Sequence, residues 1–429
     1  MTGDDLILPD VPFQPVLPDE LVVDLPHRAL VVAELRDLTV LAPGDPETIE
    51  TDPRLGLALL TGLDLTAVRP RVLAAHGPVI EQLEKAGPLT PLDLLLFELR
   101  ALFRGRWDGW APEMGKNRMM ARVVGCPYYC PMSGPRVLAE GEPTPVVFPD
   151  GVRPPRPVSD AGRGVRVGVL DTRLYPHRDI EGRYLAPPGA VYRPDDGQTV
   201  QAWAGHATFV ADLVLAQAPA AELDLRWVLD SQHGKATAWE TVRRIVDFAD
   251  SGVDVLNLSL GCFTDDGEPP LTMVRAIERL HSDTLVVAAA GNHGAITGTD
   301  GLTSVSPYWP AALPNVVSVG ADRVDADRAD AAPAAKRFSP EVPWISCTAP
   351  GVGVVAAFLD ATVELWDGDP PVSKVTTFDG YARWSGTSFA AATVSGAIAA
   401  AMRPGLTARE AYQALLDDPG SVVTPYALP

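Results

Sequence analysis

Basic residues are scarce in this sequence. Lys and Arg number 35 against 55 Asp and Glu, a formal net charge of −20, so the chain lacks the basic surface that a nucleic-acid partner requires. Long apolar runs are also missing, because no segment approaches the roughly 18 to 20 residues of a membrane helix. The first residues are acidic and broken by proline, without the basic start and apolar run of a secretory signal. We therefore expect a cytoplasmic protein that binds neither nucleic acid nor a membrane.

The four cysteines give little indication of a metal site. Cys126 and Cys130 are the only close pair, and no second pair or neighbouring histidine accompanies them. We expect free thiols, as in a reducing cytosol, with a disulfide between Cys126 and Cys130 as the alternative. Neither a metal nor another cofactor is predicted.

The composition indicates a globular protein of more than one domain. The 429 residues are 46% apolar and 21% charged, and this length suggests roughly two to three domains. The predicted units are an extended Pro-rich arm (1–27), a small α+β domain (28–130), a Pro-rich linker (131–162) and a larger domain (163–429). Apolar spacing predicts helices over 66–85 and 91–104. Eight prolines in the linker favour a semi-rigid spacer or a connection along the surface.

Strand-like and helix-like segments alternate in the larger domain. The predicted strands are 165–171, 223–229, 253–261, 285–291 and 315–321, and the predicted helices are 205–217, 237–252 and 273–282. This alternation is typical of an α/β fold whose parallel sheet is covered by helices on both faces. Functional residues of such sheets lie at the carboxyl ends of the strands, where Asp171, Ser259 and Asn292 fall.

The stretch Ser385–Ala401 has an unusual composition. It reads SGTSFAAATVSGAIAAA without a charge and predicts a buried helix with the Ser388 hydroxyl at its N-terminus, where backbone N–H groups favour negative charge. An ordinary capping serine is the alternative. A nucleophilic serine needs a base and a group that orients the base. Among seven histidines, His206 opens a predicted helix, and Asp171 ends a buried strand upstream of it.

Five motifs in one order resemble the subtilisin-like serine peptidases, the subtilase family. The motifs are VGVLDT (167–172), GHATFVADLV (205–214), NLSLG (257–261), AAAGN (288–292) and SGTSFAAATVSG (385–396). Their Asp, His, Ser order is that of subtilisin. The resemblance spans residues 163–403 and implies a subtilisin-like α/β fold, a parallel sheet with helices on both faces, preceded by a small α+β N-terminal domain.

The resemblance implies catalytic roles for four residues. Asp171 would be the buried carboxylate, His206 the general base and Ser388 the nucleophile. The side-chain amide of Asn292 would stabilise the oxyanion together with the backbone N–H of Ser388. Thr172 would support the carboxylate. The implied substrate-binding positions are Ser259, Leu260, Gly261, Ala290, Gly291, Tyr308 and Thr387.

Several positions depart from the family pattern. Arg173 and Phe209 replace a glycine and a histidine, which alters packing around the triad. Ala392 replaces a proline four residues after the serine and leaves open a transfer of the acyl group to an amine instead of water, because proline would fix φ and lack an N–H. A bulky Tyr308 or Trp309 at the back of the primary pocket would favour a small or medium apolar side chain before the cleaved bond.

Acidic runs outside the motifs are interpreted as surface loops. The family's calcium loop is missing, because VLAQAPAAEL leads straight into the next strand. A later run, interleaved with Arg323 and Arg328, favours a solvated loop over a cation site. Its acids are Asp322, Asp325, Asp327 and Asp330. Asp265, Asp266 and Glu268 are interpreted as an exposed turn, with attraction of basic groups on a peptide as the alternative.

The predicted function is a serine endopeptidase that hydrolyses peptide bonds through an acyl-enzyme intermediate on Ser388, with a dedicated intracellular processing role as the specific expectation. The alternative is an inactive subtilase-fold protein that binds peptides, and the four intact catalytic positions disfavour it. A carbohydrate or ester hydrolase has little support, because no paired glycosidase carboxylates can be picked out.

Two roles stay open for the N-terminal domain. It is either a chaperone and inhibitor acting in cis, removed by self-cleavage within 131–162, or a permanent domain that recruits one substrate protein or peptide. The predicted cytoplasmic location slightly favours the permanent domain.

Overall fold

The computed structural model describes most of the chain. The described residues are 16–41, 49–85, 87–123, 142–149, 153–156, 159–195, 197–231, 234–294, 303–323, 338–367 and 372–427. The predictions for Cys126, Cys130, Asp325, Asp327 and Asp330 fall outside these ranges. None of the helices within these ranges is long and apolar enough to cross a membrane.

The N-terminal domain is an antiparallel sheet with three helices. Its elements are β1 (Val16–Asp24), α1 (Arg28–Asp37), β2 (Ile49–Asp52), β3 (Leu57–Leu60), α2 (Val68–Leu83), α3 (Pro91–Arg106) and β4 (Met114–Arg122), with a 3₁₀ turn at Leu25–His27. The strands follow the order β4-β1-β3-β2. Helix α3 begins where Thr90 and Asp93 form a capping box followed by Pro91 in the first turn. Both helices predicted in this domain are confirmed.

The extended arm predicted over residues 1–27 is corrected by the structure from residue 16 onward. Val16–Asp24 is a strand that pairs antiparallel with both β3 and β4. Its register against β4 shifts between Val16 and Leu21. Pro18 lies in this interval and has no N–H to donate to a ladder. The prolines thus conceal a strand that lies inside the sheet.

The second domain contains the remaining elements of the described chain. They are β5 (Thr144–Pro145), β6 (Arg166–Asp171), β7 (Tyr184–Leu185), β8 (Val200–Gln201), α4 (His206–Gln217), β9 (Glu222–Trp227), β10 (Lys235–Thr237), α5 (Ala238–Val246), β11 (Val255–Leu258), β12 (Leu260–Gly261), α6 (Leu271–Glu278), β13 (Leu285–Ala289), β14 (Val316–Arg323), β15 (Cys347–Val352), β16 (Val354–Asp367), β17 (Val372–Trp384), α7 (Thr387–Ala401), α8 (Ala408–Asp417) and β18 (Thr424–Pro425). A 3₁₀ turn at Ala202–Gly205 precedes α4.

The main sheet of the second domain is parallel except at one edge. Its strand order is β18-β15-β14-β13-β11-β6-β9-β7, and only the β15–β18 pair is antiparallel. Alternate side chains enter two cores, with Val255 on the side of α4 and α7 and Leu256 on the side of α5 and α6. The predicted α/β fold with helices on both faces is confirmed. The carboxyl ends of β6, β11 and β13 lie side by side.

A smaller sheet with the order β5-β17-β16-β8 lies in the same domain. Its main part is the long β16–β17 hairpin, which the sequence analysis does not predict. Strand β5 belongs to the Pro-rich segment 131–162 and pairs with β17. Further along this segment, Arg153 and Arg156 both form ion pairs with the buried Asp212 of α4. Of the two predicted forms of this segment, the described part matches the connection along the surface.

The N-terminal sheet is apolar on both faces, and the second domain covers one of them. Leu21 and Val23 of β1 are buried in the core of the N-terminal domain, whereas Val22 between them belongs to a cluster with residues of α5 and α6. Alternation along a strand sends neighbouring side chains to opposite faces. The two domains therefore share a continuous apolar interface.

Helices α4 and α7 cross the core in close contact. Residues Thr387 to Ala399 of α7 are all buried, in agreement with the prediction for Ser385–Ala401. A Cβ atom at Gly396 would lie 2.5 Å from the carbonyl oxygen of Val214 in α4, so this crossing requires glycine. The close approach brings the first turns of the two helices together, and these turns carry His206 and Ser388.

Candidate active site

Asp171 and His206 form a buried pair at the carboxyl end of β6. His206 is the first residue of α4, and its Nδ1 lies 2.7 Å from Asp171 Oδ1. Both side chains are almost fully buried. Thr172 ties the strand to the helix, since its backbone N–H donates to Asp171 Oδ1 at 2.7 Å and its hydroxyl accepts from the Ala207 N–H at 3.2 Å. A carboxylate on Nδ1 leaves Nε2 as the proton-accepting nitrogen of a neutral imidazole.

Ser388 lies in the first turn of α7, beside His206. The imidazole of His206 is 5.5 Å from the ring of Phe389, the next residue after the serine. Ser388 Oγ is buried and has no hydrogen-bond partner within the described part of the chain. The Ser388 carbonyl accepts a hydrogen bond from Ser259 Oγ at 3.1 Å, and Ser259 Oγ in turn accepts from Asn257 Nδ2 at 2.9 Å. This network fixes the backbone of the serine and leaves its hydroxyl available.

Asn292 follows β13 and is held by Thr387. Its Oδ1 accepts hydrogen bonds from the Thr387 backbone N–H at 3.0 Å and from the Thr387 hydroxyl at 2.9 Å. The Thr387 hydroxyl also accepts from the Gly291 N–H at 3.2 Å. With Oδ1 engaged in this way, Nδ2 points away from Thr387 and donates to the carbonyl oxygen of Val123 at 3.3 Å. The amide of Asn292 is thus aimed at a peptide carbonyl.

Strand β4 of the N-terminal domain lies between β10 and β12 of the second domain, and the space between those two strands is called the cleft. On one side it pairs antiparallel with β12, in the register Leu260 to Arg122 and Gly261 to Ala121. On the other side it pairs antiparallel with β10, which the sequence analysis does not identify as a binding strand. Val123, the next residue after β4, is buried in the apolar cluster that contains Tyr308. The protein's own chain therefore pairs with Leu260 and Gly261, two of the residues that the sequence predicts to bind an extended peptide.

Aromatic side chains pack between the two glycines of the predicted pocket. A Cβ atom at Gly261 would lie 2.5 Å from Tyr308 Cε1, and one at Gly291 would lie 3.3 Å from Tyr308 Cγ. Phe263 packs 4.9 Å from Tyr308 and 4.7 Å from His293 between ring centroids. Tyr308 thus lies between the positions predicted to line the pocket, and its bulk restricts the space there.

One predicted substrate-binding residue packs elsewhere. Ala290 is fully buried and belongs to a small cluster with Val342 and Ile345, and its backbone N–H bonds to Val319 within the sheet. The structure does not bring its side chain together with the other pocket residues. Its role in substrate binding stays a prediction.

The replacements at Arg173 and Phe209 are accommodated by aromatic packing. The Arg173 guanidinium lies 4.2 Å from the ring centroid of Trp227, and Phe209 packs 4.5 Å from Phe389. Trp384, at the end of β17, contacts the His206 imidazole edge-on at 5.7 Å. Trp384 carries no signal in the local sequence, because only the hairpin that precedes α7 brings it to the histidine.

Within the described ranges, no group of three or more His, Cys, Asp or Glu side chains is arranged to hold a metal ion. Cys262 and Cys347 are buried free thiols in the described chain, and burial raises the pKa of each to about 12.

Comparison with known proteins identifies the family. Residues 162–419 match the profile of the subtilase family. The chain belongs to the subtilase family. This subtilase is 32% identical over 248 residues to subtilisin BL of Lederbergia lenta, covering 56% of its own length and 76% of that protein. It is 28% identical over 252 residues to the major intracellular serine protease of Bacillus subtilis (strain 168), covering 56% of its own length and 68% of the relative.

Other matches extend over only part of the known proteins. The subtilase is 30% identical over 271 residues to a thermophilic serine proteinase of Bacillus sp. (strain AK1), covering 60% of its own length and 57% of that protein. Fervidolysin from Fervidobacterium pennivorans, a keratinolytic enzyme related to subtilisin, aligns with 94% of this chain and 57% of its own at 16% identity and a TM-score of 0.52, which shows the fold. The predicted family and the predicted subtilisin-like fold are confirmed.

Proposed function

We propose that this subtilase is a serine endopeptidase that acts through an acyl-enzyme intermediate on Ser388. The observation that carries the proposal is the hydrogen bond from Asn292 Nδ2 to the Val123 carbonyl. Asn292 is held by Thr387, the residue before Ser388, and the Asp171–His206 pair packs against Phe389, the residue after it. These are the parts that acyl transfer requires, namely a nucleophile, an oriented base and a donor for the oxyanion.

The proposed reaction assigns one step to each group. Ser388 Oγ attacks the carbonyl carbon while its proton passes to His206 Nε2, and Asp171 stabilises the imidazolium that forms. The oxyanion accepts hydrogen bonds from Asn292 Nδ2 and the Ser388 backbone N–H. His206 then gives the proton to the leaving amine as the C–N bond breaks, and water hydrolyses the ester by the same route.

We also propose that the N-terminal domain acts in cis as an inhibitor, the first of the two roles left open by the sequence. Strand β4 pairs with β10 on one side and with β12 on the other. Polar contacts reinforce the apolar interface between the two domains. Arg54 Nη1 donates to Asp247 Oδ1 at 2.6 Å, and Trp239 Nε1 donates to Glu50 Oε2 at 2.9 Å. The Trp239 backbone N–H also donates to Asn117 Oδ1 at 3.0 Å. A substrate must displace these contacts before it can pair with β12.

The same geometry supports self-cleavage at one bond. The Val123 carbonyl is the one that Asn292 contacts, so the proposed scissile bond is the peptide bond that follows Val123. The proposed cut therefore lies before the segment 131–162, whereas the sequence analysis expects it within that segment. That segment instead carries β5 and Arg153, which attach it to the second domain, so it is expected to stay bound there after the cut.

The proposed substrates are peptides or proteins that enter as an extended strand. The relative from Bacillus subtilis is named as intracellular, and we propose an intracellular role for this chain as well. A processing function on a dedicated substrate is the specific form of that proposal.

Labelling with a fluorophosphonate probe tests the nucleophile. The full-length protein is expected to react at one site after it has been incubated to allow processing, and Ser388→Ala is expected to abolish the label. Ser385→Ala is the matched control, because this hydroxyl accepts from the Gly353 N–H at 2.9 Å and does not contact Asn292 in the described chain. Folded protein that never reacts would favour the alternative, an inactive peptide-binding protein.

A further inference from the structure

Two acidic residues follow β12, the strand that pairs with β4. Asp265 and Asp266 lie four and five residues after the end of β12, and both pair with cations of β4. Lys116 Nζ lies 2.5 Å from Asp265 Oδ2, Arg118 Nη1 lies 2.8 Å from Asp265 Oδ1, and Arg118 Nη2 lies 3.3 Å from Asp266 Oδ2. The loop after β12 therefore already binds cationic side chains.

The cations belong to the part of the chain that occupies the peptide position. Because β4 and β12 are antiparallel, the residues that precede Val123 run alongside the residues that follow Gly261. Counting Val123 as the first residue before the proposed scissile bond, Arg118 is the sixth and Lys116 the eighth. Both positions lie on one face of the strand, since alternate residues share a face.

In these ion pairs the cationic side chains are buried, whereas the acidic side chains are partly exposed. The Lys116 and Arg118 side chains are 3% and 6% exposed, whereas those of Asp265 and Asp266 are 37% and 49% exposed. Burial alone raises the pKa of Asp265, but Arg118 and Lys116 outweigh it and lower that pKa to about 2. Asp265 is thus ionised at neutral pH, and both acids face cations on the bound strand.

Departure of the N-terminal domain would leave these acids without their cationic partners. Lys116 also pairs with Asp93 of its own domain, whereas the described ion pairs of Asp265 and Asp266 all go to the N-terminal domain. Without the N-terminal domain, the two carboxylates lie beside the cleft, and within the described ranges no Lys or Arg of the second domain pairs with them.

We propose that Asp265 and Asp266 form a subsite that selects peptides with a basic side chain, preferably arginine, at the sixth residue before the cleaved bond, with a second favourable basic position at the eighth. This inference rests on the proposed endopeptidase function. Arginine suits the sixth position because its guanidinium reaches both acids at once, as Arg118 does.

Peptide cleavage by the full-length, self-processed protein tests the subsite. Three peptides keep residues 114–128 of this sequence with alanine at the eighth position and differ only at the sixth, which is Arg, Ala or Glu. Wild-type kcat/KM is expected to be about 2- to 5-fold higher for Arg than for Ala and lower still for Glu, a size typical of partly exposed ion pairs. The ratio is expected to shrink in 1 M salt.

Variants identify the groups responsible. Asp265→Asn with Asp266→Asn is expected to bring the Arg to Ala ratio close to one, and Asp265→Lys with Asp266→Lys is expected to favour the Glu peptide. Glu268→Gln is the control, because Glu268 lies in the same loop but forms no ion pair with Lys116 or Arg118 in the described chain. This variant is expected to keep the wild-type ratio.

The outcomes separate the two proposals. Cleavage of all three peptides at equal rates by the wild type overturns the subsite and means that the ion pairs serve only the N-terminal domain. An Arg preference that survives the double Asn variant overturns it too. No cleavage of any peptide, together with no fluorophosphonate labelling, overturns the endopeptidase function and the subsite with it.

Discussion

Asn292 Nδ2 donates a hydrogen bond at 3.3 Å to the carbonyl oxygen of Val123, a residue 169 positions earlier in the chain. This contact joins the candidate active site of the second domain to the end of the last strand of the N-terminal domain. The amide expected to stabilise an oxyanion during catalysis therefore already contacts a carbonyl of the proposed inhibitory domain.

Thr387 is expected to act as the positioning residue for Asn292. Thr387→Val removes the 2.9 Å bond from the hydroxyl to Asn292 Oδ1, so the amide loses part of its orientation. We expect kcat to fall about 10-fold with KM changed less than about 2-fold, because the lost contact acts mainly in the transition state. Steady-state kinetics on a peptide substrate measures both constants.

Thr393→Val is the matched control for this variant. Thr393 is a buried threonine of the same helix whose hydroxyl bonds to the Phe389 carbonyl at 3.0 Å and not to Asn292. Its kcat is expected to stay within about 2-fold of the wild type. Equal losses in the two variants would contradict a specific role for Thr387.

His293 is expected to make stability depend on pH. Burial lowers its pKa to about 4, and its Nε2–H donates to the Ser306 carbonyl at 2.9 Å. The unfolded chain, with a histidine pKa near 6.5, binds a proton at pH 5 that the folded chain does not. The free energy of unfolding therefore falls as the pH drops from about 6.5 to about 4, by on the order of 3 kcal/mol.

Urea unfolding between pH 4 and pH 7.5 measures this dependence, in a Ser388→Ala background that prevents self-digestion. His293→Gln keeps a donor for Ser306 and is expected to flatten the curve. His281→Gln removes an exposed imidazole and is expected to keep the steep dependence. A steep dependence that persists in His293→Gln would contradict the assignment.

Arg153 and Arg156 are expected to stabilise the helix that carries His206. Asp212 on that helix is fully buried, and the two guanidinium groups contact its oxygens at 2.7 to 2.9 Å. Burial alone raises the pKa of Asp212, but the arginines outweigh it, and the pKa is lowered. Replacing both arginines with alanine is expected to cost about 3 to 5 kcal/mol, because a buried charge is left unpaired.

Thermal or urea unfolding tests this cost. Adding Asp212→Asn to the double alanine variant is expected to recover part of the loss, since it removes the unpaired charge. Arg163→Ala breaks only an exposed pair with Asp160 and is expected to change stability by less than about 1 kcal/mol. A double alanine variant as stable as Arg163→Ala would contradict the role assigned to these arginines.

Short motifs are enough to predict the parts of the site that depend only on residues close together in the sequence. Asp171 ends an apolar strand and His206 opens a helix, and each position is visible in a few residues of sequence. The 2.7 Å pair that they form then follows from the parallel sheet. Helix α7 is predictable for the same reason, because an uncharged run of small residues suits only a buried position.

Long-range contacts are not visible in the sequence. The run that ends at Val123 looks like an ordinary strand, and only docking of the whole N-terminal sheet brings it to Asn292. The acidic loop at Asp265 reads as an exposed turn, because its partners Lys116 and Arg118 lie almost 150 residues away. Strand β1 is not predicted from the sequence because it contains Pro18, although it pairs with a strand on each side.

The most direct test of the account is the mass of the purified full-length protein after incubation. We predict two fragments that meet between residues 123 and 124, formed at a rate independent of protein concentration, and a single intact chain for Ser388→Ala. A cut within residues 131–162, or a cut after Val123 that persists in Ser388→Ala, would contradict the proposal that Ser388 attacks the carbonyl held by Asn292.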